Sequence, residues 1–305
     1  MSGINTNRSN FELPAQVSSE IIQKAQEASA VMQLARKIAL PGSGLAIPMI
    51  TSDPEAGWVA ETAAKPVSNP GISKKTMTPY KLAVIVPFSD EFARDMKALY
   101  DALVARIPGA LAKKFDETVF HGTAPGTGFD VLTNVTEQSI SGDGNNIYKA
   151  LVAADTAIST QGGFVNGYAM SAQARGILLG TTDTTGRPIF INGVADGNID
   201  KILGQPTYFS RGLYGEGNAA SGTSGQSGYV AARGDTLGFA GDWTKAMYGT
   251  VEGVKIDMSN QATLTINETA VNLWEHNMFA VKAEIEVGFV ADTNVFNRIT
   301  RTHAS

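Results

Sequence analysis

The sequence contains no cysteine among its 305 residues. This absence excludes disulfide bonds and thiolate metal sites, and it is compatible with folding in a reducing cytosol. The N-terminal stretch also lacks the basic and apolar regions of a secretory signal, and no apolar run approaches the ~18 residues of a membrane span. We therefore expect a soluble protein that is made in a cytoplasm and has no membrane partner.

Positive charge is scarce and dispersed. There are 24 Lys and Arg against 29 Asp and Glu, which gives a formal net charge of −5, and no long basic run is present. A dedicated nucleic-acid binder needs clustered cations that displace counterions from phosphates. The composition therefore disfavours that class of protein, and contact with double-stranded DNA should be weak and non-specific.

Catalytic and metal-binding motifs are also missing. The three histidines, His121, His276 and His303, do not have the spacing of a zinc motif, and each is expected to be structural or solvent-facing. No GxSxG elbow supports a serine hydrolase. These absences predict no metal ion and no cofactor.

The N-terminal segment predicts an arm followed by a helix. Residues 1–17 are polar and lack periodicity, as expected of an extended or mobile arm. From Ser18 or Ser19, which can cap a helix, apolar residues recur at helical spacing as far as Ile38, just before Pro41. This helix is expected to pack either on its own domain or on a neighbouring subunit.

Pro and Gly breakers separate short extended pieces between Pro41 and Pro87, and this pattern predicts a long two-stranded hairpin arm. The arm carries a cluster of lysines: Lys65, Lys74, Lys75 and Lys81. An isolated hairpin is marginally stable in water, so this arm should lie across another surface in order to be stable.

A long helix is predicted next. Ser89 can cap its start, and the two carboxylates that follow favour the positive end of the helix dipole. Apolar side chains then recur along one face, at Phe92, Met96, Leu99, Leu103, Ile107, Leu111, Phe115 and Val119. A helix from Ser89 to Phe120 would form a spine of roughly 48 Å. Pro108 predicts a kink or break near Ile107, because proline removes a backbone donor.

The C-terminal half predicts a mixture of helices and strands. Helices are expected at 147–160 and 172–179, and strands at 164–170, 189–191, 207–210, 247–256 and 262–266. The Gly-rich stretch 212–241 is expected to be a long flexible loop. The clearest strand runs over 279–289, where apolar and polar residues alternate with a period of two.

Several segments, taken in order, resemble those of a known family. They are GWVAE from Gly57, KLAVIVPFSDEF from Lys81, ILGQPTYFS from Ile202, GDWTKAMYG from Gly241 and HNMFAVKAEIEVGFVADTNVF from His276. In this order they are similar to segments of the major capsid proteins of tailed bacteriophages, the Hong Kong 97 type. The resemblance implies an α+β fold with an N-terminal arm, an extended hairpin loop, a spine-helix peripheral domain and a compact axial domain.

The resemblance also implies a domain division and a function. Residues 1–40 would form the N-terminal arm and helix, 41–87 the extended hairpin loop, 88–128 with 271–305 the peripheral domain, and 129–270 the axial domain. The implied role is structural: self-assembly into pentamers and hexamers of an icosahedral head that encloses double-stranded DNA. The implied partners are further copies of the chain, a portal protein and separate scaffolding and decoration proteins, in a virion assembled in the bacterial host cytoplasm.

Some members of this family join an arm lysine to a peripheral-domain asparagine through an isopeptide bond, helped by a glutamate. The resemblance places Lys65, Asn277 and Glu284 at these positions. Each residue also has a plain structural interpretation, as part of an arm turn, a cap or turn, and a solvated strand position respectively. An extended chain would separate Asn277 from Glu284 by roughly 23 Å, so the three groups would have to come from different subunits.

Two other functions stay open on the sequence alone. An encapsulin-like nanocompartment shell would have the same fold and would enclose a protein cargo instead of a genome. The more distant alternative is an α/β enzyme with an unrecognised site, and a cleft with convergent titratable groups would favour it.

Overall fold

The computed structural model describes residues 29–52, 54, 56–59, 64–65, 67–69, 71–89, 96–140, 147–183, 185–190, 199–219, 221, 233–251, 255–266 and 269–302. The helices in these ranges are α1 (Ala30–Leu34), α2 (Met96–His121), α3 (Ile147–Thr160) and α4 (Ala172–Gly180). The first strands are β1 (Arg36–Ala39), β2 (Leu45–Ser52), β3 (Gly71–Met77), β4 (Tyr80–Ser89), β5 (Thr136–Ile140), β6 (Gly167–Ser171), β7 (Lys201–Ile202) and β8 (Gln205–Ser210). The later strands are β9 (Asp235–Gly241), β10 (Ala246–Thr250), β11 (Lys255–Ser259), β12 (Thr263–Ile266), β13 (Thr269–Asn272), β14 (Met278–Ala291) and β15 (Phe296–Arg301).

One sheet is organised around β14. Strand β4 pairs antiparallel with one edge of β14, from Tyr80 opposite Val287 to Ser89 opposite Met278. Strands β10 and β11 pair antiparallel with the other edge, and β1 adds in parallel to β10. We call this five-stranded sheet the β14 sheet. The predicted strand 279–289 is confirmed, and its apolar residues alternate with half-buried polar ones as the period of two requires.

A second sheet has six strands in the order β5-β15-β9-β6-β8-β7 and is called the β15 sheet. Helices α3 and α4 contact its strands. Strands β6 and β9 lie in its middle, and every residue of both is buried. The predicted flexible loop over 212–241 is therefore wrong for β9, which runs through the core. Close packing requires glycine in this strand, because a Cβ at Gly238 would lie 2.2 Å from the Met170 sulfur.

Helix α2 is the spine that joins the two sheets. Near its middle, Ile107 and Leu111 are buried against the apolar face of β14. Near its end, Phe120 stacks on Phe239 of the β15 sheet with a centroid distance of 4.9 Å. The 26 residues of this helix correspond to roughly 39 Å. From Ile107 to Phe120, the spine therefore buries apolar side chains against both sheets.

The two sheets are also joined by a two-stranded ribbon. The chain passes from β9 to β10 and from β14 to β15 through two similar turns, each capped by an aspartate, Asp242 or Asp292. The two turns bind each other, since the Asp242 N–H donates to the Val295 carbonyl at 3.1 Å and the Asp292 N–H to the Lys245 carbonyl at 3.2 Å. One hydrophobic core contains residues of both sheets and of the two turns. The ribbon therefore connects two sheets that pack on each other.

The N-terminal segment is fixed to the spine by a buried carboxylate. Asp116 of α2 accepts hydrogen bonds from the Ser29 hydroxyl at 2.5 Å, the Ala30 N–H at 3.0 Å and the Val31 N–H at 3.4 Å. These donors lie at the start of α1, where backbone N–H groups have no partner inside the helix. Burial raises the pKa of the Asp116 carboxyl above its ordinary value of 3.8, although these hydrogen bonds oppose the shift.

The N-terminal helix is shorter than predicted. Helix α1 ends at Leu34, and Ala35 has extended dihedral angles of φ −80° and ψ 151°. The residues that follow form β1, so the expectation that the helix continues to Ile38 is wrong. Pairing with β10 overrides the helical spacing of these residues. The proposed N-caps of this helix lie outside the described residues.

The long helix differs from its prediction in two ways. Ser89 is the last residue of β4 instead of a helix cap, and residues 90–95 lie outside the described part. The helix passes through Pro108 without interruption, so the predicted break is wrong. Packing of Ile107 and Leu111 against β14 offsets the local loss of one backbone hydrogen bond.

Other predicted elements are mostly confirmed. Helices α3 and α4 and strands β8 and β12 lie where the patterns placed them. The predicted strand 247–256 is two strands, β10 and β11, which pair with separate stretches of β14. The predicted strand 189–191 is wrong for residues 189 and 190, the part of it that the structure describes. There the Ile189 N–H donates to the Thr181 carbonyl at 3.1 Å and closes a turn.

The buried carboxylate predicts a pH dependence of stability. Because the folded state raises the pKa of Asp116, it binds the proton more tightly than the unfolded chain does. We expect the contribution of Asp116 to the free energy of unfolding of dispersed subunits to fall as pH rises from 3.8 through the raised pKa, by at most about 1.4 kcal/mol per pH unit. Asp116→Asn should lack this contribution, and urea unfolding across pH measures it. A slope in Asp116→Asn that equals the wild-type slope would contradict the assignment.

Candidate assembly interface

The predicted arm is confirmed as an antiparallel hairpin of β2 and β3, which pair from Leu45 opposite Met77 to Ser52 opposite Gly71. Strand β4 does not belong to it, although the sequence pattern placed residues up to Pro87 in the arm. It pairs with β14 because its alternating apolar side chains fit the core under α2. The eight residues of β2 make an arm of roughly 26 Å.

The root of the arm is held by apolar packing. Met77 is fully buried and Ile47 is nearly so, and both pack with Leu40, Met247 and Val290. These partners come from the N-terminal segment, from β10 and from β14. The arm therefore leaves the body from the end of the β14 sheet at which β14 approaches the β15 sheet.

A lysine and an aspartate complete this root. The Lys75 ammonium lies 2.6 Å from an Asp130 carboxylate oxygen and donates to the Ala291 carbonyl at 2.7 Å. The same Asp130 oxygen accepts from the Ala291 N–H at 2.9 Å. Both side chains are largely buried, with 34% and 23% of their surfaces exposed. The Lys75–Asp130 pair provides hydrogen-bond partners for the carbonyl and the N–H of Ala291. This residue lies beyond the part of β14 that pairs with β4, which ends at Val287.

A glycine-rich loop fits closely against the same root. The Thr78 N–H donates to the Gly128 carbonyl at 2.9 Å, and the Tyr80 hydroxyl donates to the Thr127 carbonyl at 2.7 Å. Gly128 has φ +79°, and a Cβ there would lie 2.4 Å from the Thr78 hydroxyl oxygen. Only glycine adopts a positive φ without strain and also leaves out the Cβ for which there is no space at this position. The direction of the arm is thus set by contacts from several parts of the chain.

The far end of the arm has the opposite character. Trp58 is fully exposed at 107% of its reference surface, and Val67 is exposed at 88%. Val59 and Lys65 are also exposed. Large apolar side chains that face water in this way are typical of surfaces that contact another protein. The arm therefore combines a fixed root with an apolar tip.

A cavity of about 420 Å³ lies beside the arm root. Its apolar walls come from three separate segments and include Tyr80, Leu82, Phe115, Phe129 and Val287. Its polar lining groups are Lys81, Lys114, Glu117, Thr118 and Thr123. The lysine side chains are 68% and 60% exposed, and each has a glutamate at 3.5 Å.

A second cavity of about 500 Å³ lies between α1, β8 and the first ribbon turn. The ionisable residues in its lining are Arg36 and Tyr208. Within the described part of the chain, no group of three or more His, Asp and Glu side chains has the arrangement of a metal site. Over the same residues, no helix meets the length and hydropathy of a membrane span.

The histidines have ordinary surroundings where they are described. His121 ends α2, and its Nε2 lies 3.0 Å from the Gly212 carbonyl oxygen. His276 is exposed in the turn before β14. His303 lies outside the described residues.

The three proposed crosslink residues lie in different parts of the chain. Lys65 is exposed on the arm, and Asn277 occupies a turn with φ +49°, where asparagine is favoured among non-glycine residues. Glu284 is half-buried within β14, opposite Ala83, with the Lys282 ammonium at 3.4 Å. Hydrogen bonds with Asp257 and Glu284 raise the pKa of Lys282. The turn of Asn277 precedes the start of β14, whereas the arm root lies at its other end.

Comparison with known proteins agrees with this architecture. The model of the phage capsid family matches residues 10–291. A probable major capsid protein, gp17 of Mycobacterium phage L5, is 28% identical over 321 residues, covering 98% of this chain and 93% of that protein. Solved structures from Microbacterium phage Oxtober96 and Gordonia phage Cozz each give a TM-score of 0.69, at 20% and 19% identity. They cover 99% and 100% of this chain, and 95% and 92% of their own chains.

The family model covers nearly the whole chain, so the chain belongs to the phage capsid family. It is a major capsid protein of the tailed-phage type, a structural component of the virion and not an enzyme. The predicted α+β fold of the Hong Kong 97 type is confirmed. The alternative of a nanocompartment shell is not favoured. The division into domains stays a prediction.

Lys75 contacts Asp130 and Ala291 at the arm root, whereas its neighbour Lys74 is exposed. Lys75→Met removes the ammonium that binds Asp130 and Ala291 while keeping most of the apolar stem. A partly buried ion pair contributes about 1 kcal/mol, so amides of β2 and β3 in dispersed subunits should exchange roughly fivefold faster with solvent. Hydrogen exchange measures this effect. Lys74→Met, on the exposed neighbouring lysine, should leave the rates unchanged; equal effects of the two substitutions would contradict a special role for Lys75.

Proposed function

We propose that this chain self-assembles into pentamers and hexamers that close into an icosahedral head around double-stranded DNA. The observation that carries this proposal is the arm, whose root is fixed by the Lys75–Asp130 pair and whose tip exposes Trp58 and Val67. A two-stranded arm with an apolar tip gains little stability in isolation. Placing it on a second copy buries that apolar surface.

The contact between arm and neighbour joins two different surfaces. Such heterologous contacts close into rings when the rotation between copies permits it. Each copy provides one arm and receives one, so no partner of another sequence is needed to form a capsomer. Self-association through the arm is therefore the core of the proposal.

Further partners follow from the role of a phage head. The net charge of −5 supports weak, salt-dependent contact with the packaged DNA and not a dedicated DNA-binding surface. A portal protein would occupy one vertex, and scaffolding and decoration proteins would be separate chains. Assembly would take place in the cytoplasm of the bacterial host.

Removal of the arm tests the assembly role. Replacing residues 48–74 by a short glycine turn deletes most of β2 and β3 and retains Ile47, Lys75 and Met77 at the root. We expect this variant to fold, with the thermal transition of the body preserved, and to form no shells in light scattering or electron microscopy. Wild-type protein under the same conditions is the control. Shells of normal size from the deletion variant would contradict the role of the arm.

We propose, as a separate step after assembly, an isopeptide bond between Lys65 and Asn277 of different copies. A deprotonated Lys65 Nζ would attack the carboxamide carbon of Asn277, forming the new C–N bond while the amide nitrogen leaves as ammonia. Glu284 of a third copy would take the amine proton and return one to the leaving group. The exposure of Lys65 and Asn277 supports access by another subunit.

This crosslink has a direct readout. Denaturing electrophoresis of mature particles should show a ladder above the 32.1 kDa monomer, and the ladder should disappear in Lys65→Ala and in Asn277→Ala. Lys74→Ala, another exposed arm lysine, should keep it. A single monomer band from mature wild-type particles would show that no such bond forms.

A further inference from the structure

We propose that the cavity beside the arm root receives Trp58 of a second copy of this chain. In its own chain Trp58 is fully exposed, so it does not fill its own cavity. The inference rests on the proposed assembly through the arm. It adds a specific residue and a specific receiving site to that contact.

The cavity has the size and chemistry that an indole requires. Its volume of about 420 Å³ lies in the range of sites that enclose small organic groups. Three of its walls are the aromatic rings of Tyr80, Phe115 and Phe129, against which another aromatic ring packs favourably. A buried tryptophan also needs an acceptor for its indole N–H, and Glu117 among the lining residues supplies one.

The cavity provides lysines that can pair with acidic residues of an incoming arm. In sequence, residues 53–70, which connect β2 to β3, include three acidic residues, Asp53, Glu55 and Glu61, and a single cation, Lys65. The cavity lining has two lysines, Lys81 and Lys114, and one glutamate. Both lysine side chains are more than half exposed, and each has a glutamate at 3.5 Å, Glu286 and Glu117 respectively, so an incoming acidic segment would exchange ion-pair partners with them. Lysine near the face of an indole is a further favourable contact.

The position of the cavity explains how such a contact would propagate. It lies at the root of the arm, because Tyr80 and Leu82 start the strand that follows the hairpin. The tip of one arm would therefore dock at the root of the next. Each copy donates one tip and receives another at a different surface, which is the head-to-tail arrangement that closes into a ring.

Tryptophan fluorescence tests the inference because the chain has three tryptophans in distinct surroundings. In a Trp274→Phe protein, only Trp58 and the buried Trp243 remain. We expect assembly to shift the emission to shorter wavelength and to abolish quenching of Trp58 by acrylamide. Wild-type-like shells in which Trp58 stays fully quenched would overturn the inference and leave the proposed function intact. If no shells form from the wild-type protein, the proposed function fails instead.

Substitutions on both sides of the contact complete the test. Trp58→Ala should raise the subunit concentration needed for half-maximal assembly about tenfold, as expected for a buried aromatic anchor. Thr118→Phe and, independently, Thr123→Phe place a ring in the cavity and should produce the same rise; circular dichroism checks that each variant folds. If filling the cavity impairs assembly and Trp58→Ala does not, another segment occupies the cavity and the inference is wrong.

Discussion

Strand β14 is the constraint on which the other parts of the structure depend. It pairs with β4 on one edge and with β10 and β11 on the other, and its apolar face packs on the spine helix α2. Its last residue, Ala291, binds Lys75 and Asp130 at the arm root. The chain then continues through a packed turn into β15. The arm root, the spine and both sheets therefore all contact β14 or continue from it.

Strong local periodicity made much of this fold predictable. The alternation in β14, the long apolar stripe of α2 and the breakers around the arm each specify an element before any tertiary contact forms. Tertiary contacts decided the rest. Residues of β1 have helical spacing but pair with β10, and β9 has the glycine content of a loop. Its Gly238 and Gly241 are required because Met170 and Phe296 pack directly on the backbone.

The candidate interface was less predictable than the fold. Lys74 and Lys75 are equivalent in the sequence, and only the folded chain shows that Lys75 faces Asp130 and Ala291, which lie far away along the chain. The cavity is likewise built from β4, α2 and β14, so no contiguous motif encodes it. The apolar residues of the GWVAE segment were visible in the sequence, but their exposure depends on the direction of the arm.

In the proposed assembly, the arm is stable on the body of another copy, and this contact builds the shell. Electron cryo-microscopy of particles assembled from the purified protein tests it most directly. We expect a closed shell in which the Leu45–Met77 hairpin of each copy lies on a neighbouring copy. Compact monomers under all assembly conditions, or shells in which each hairpin folds back on its own chain, would contradict it.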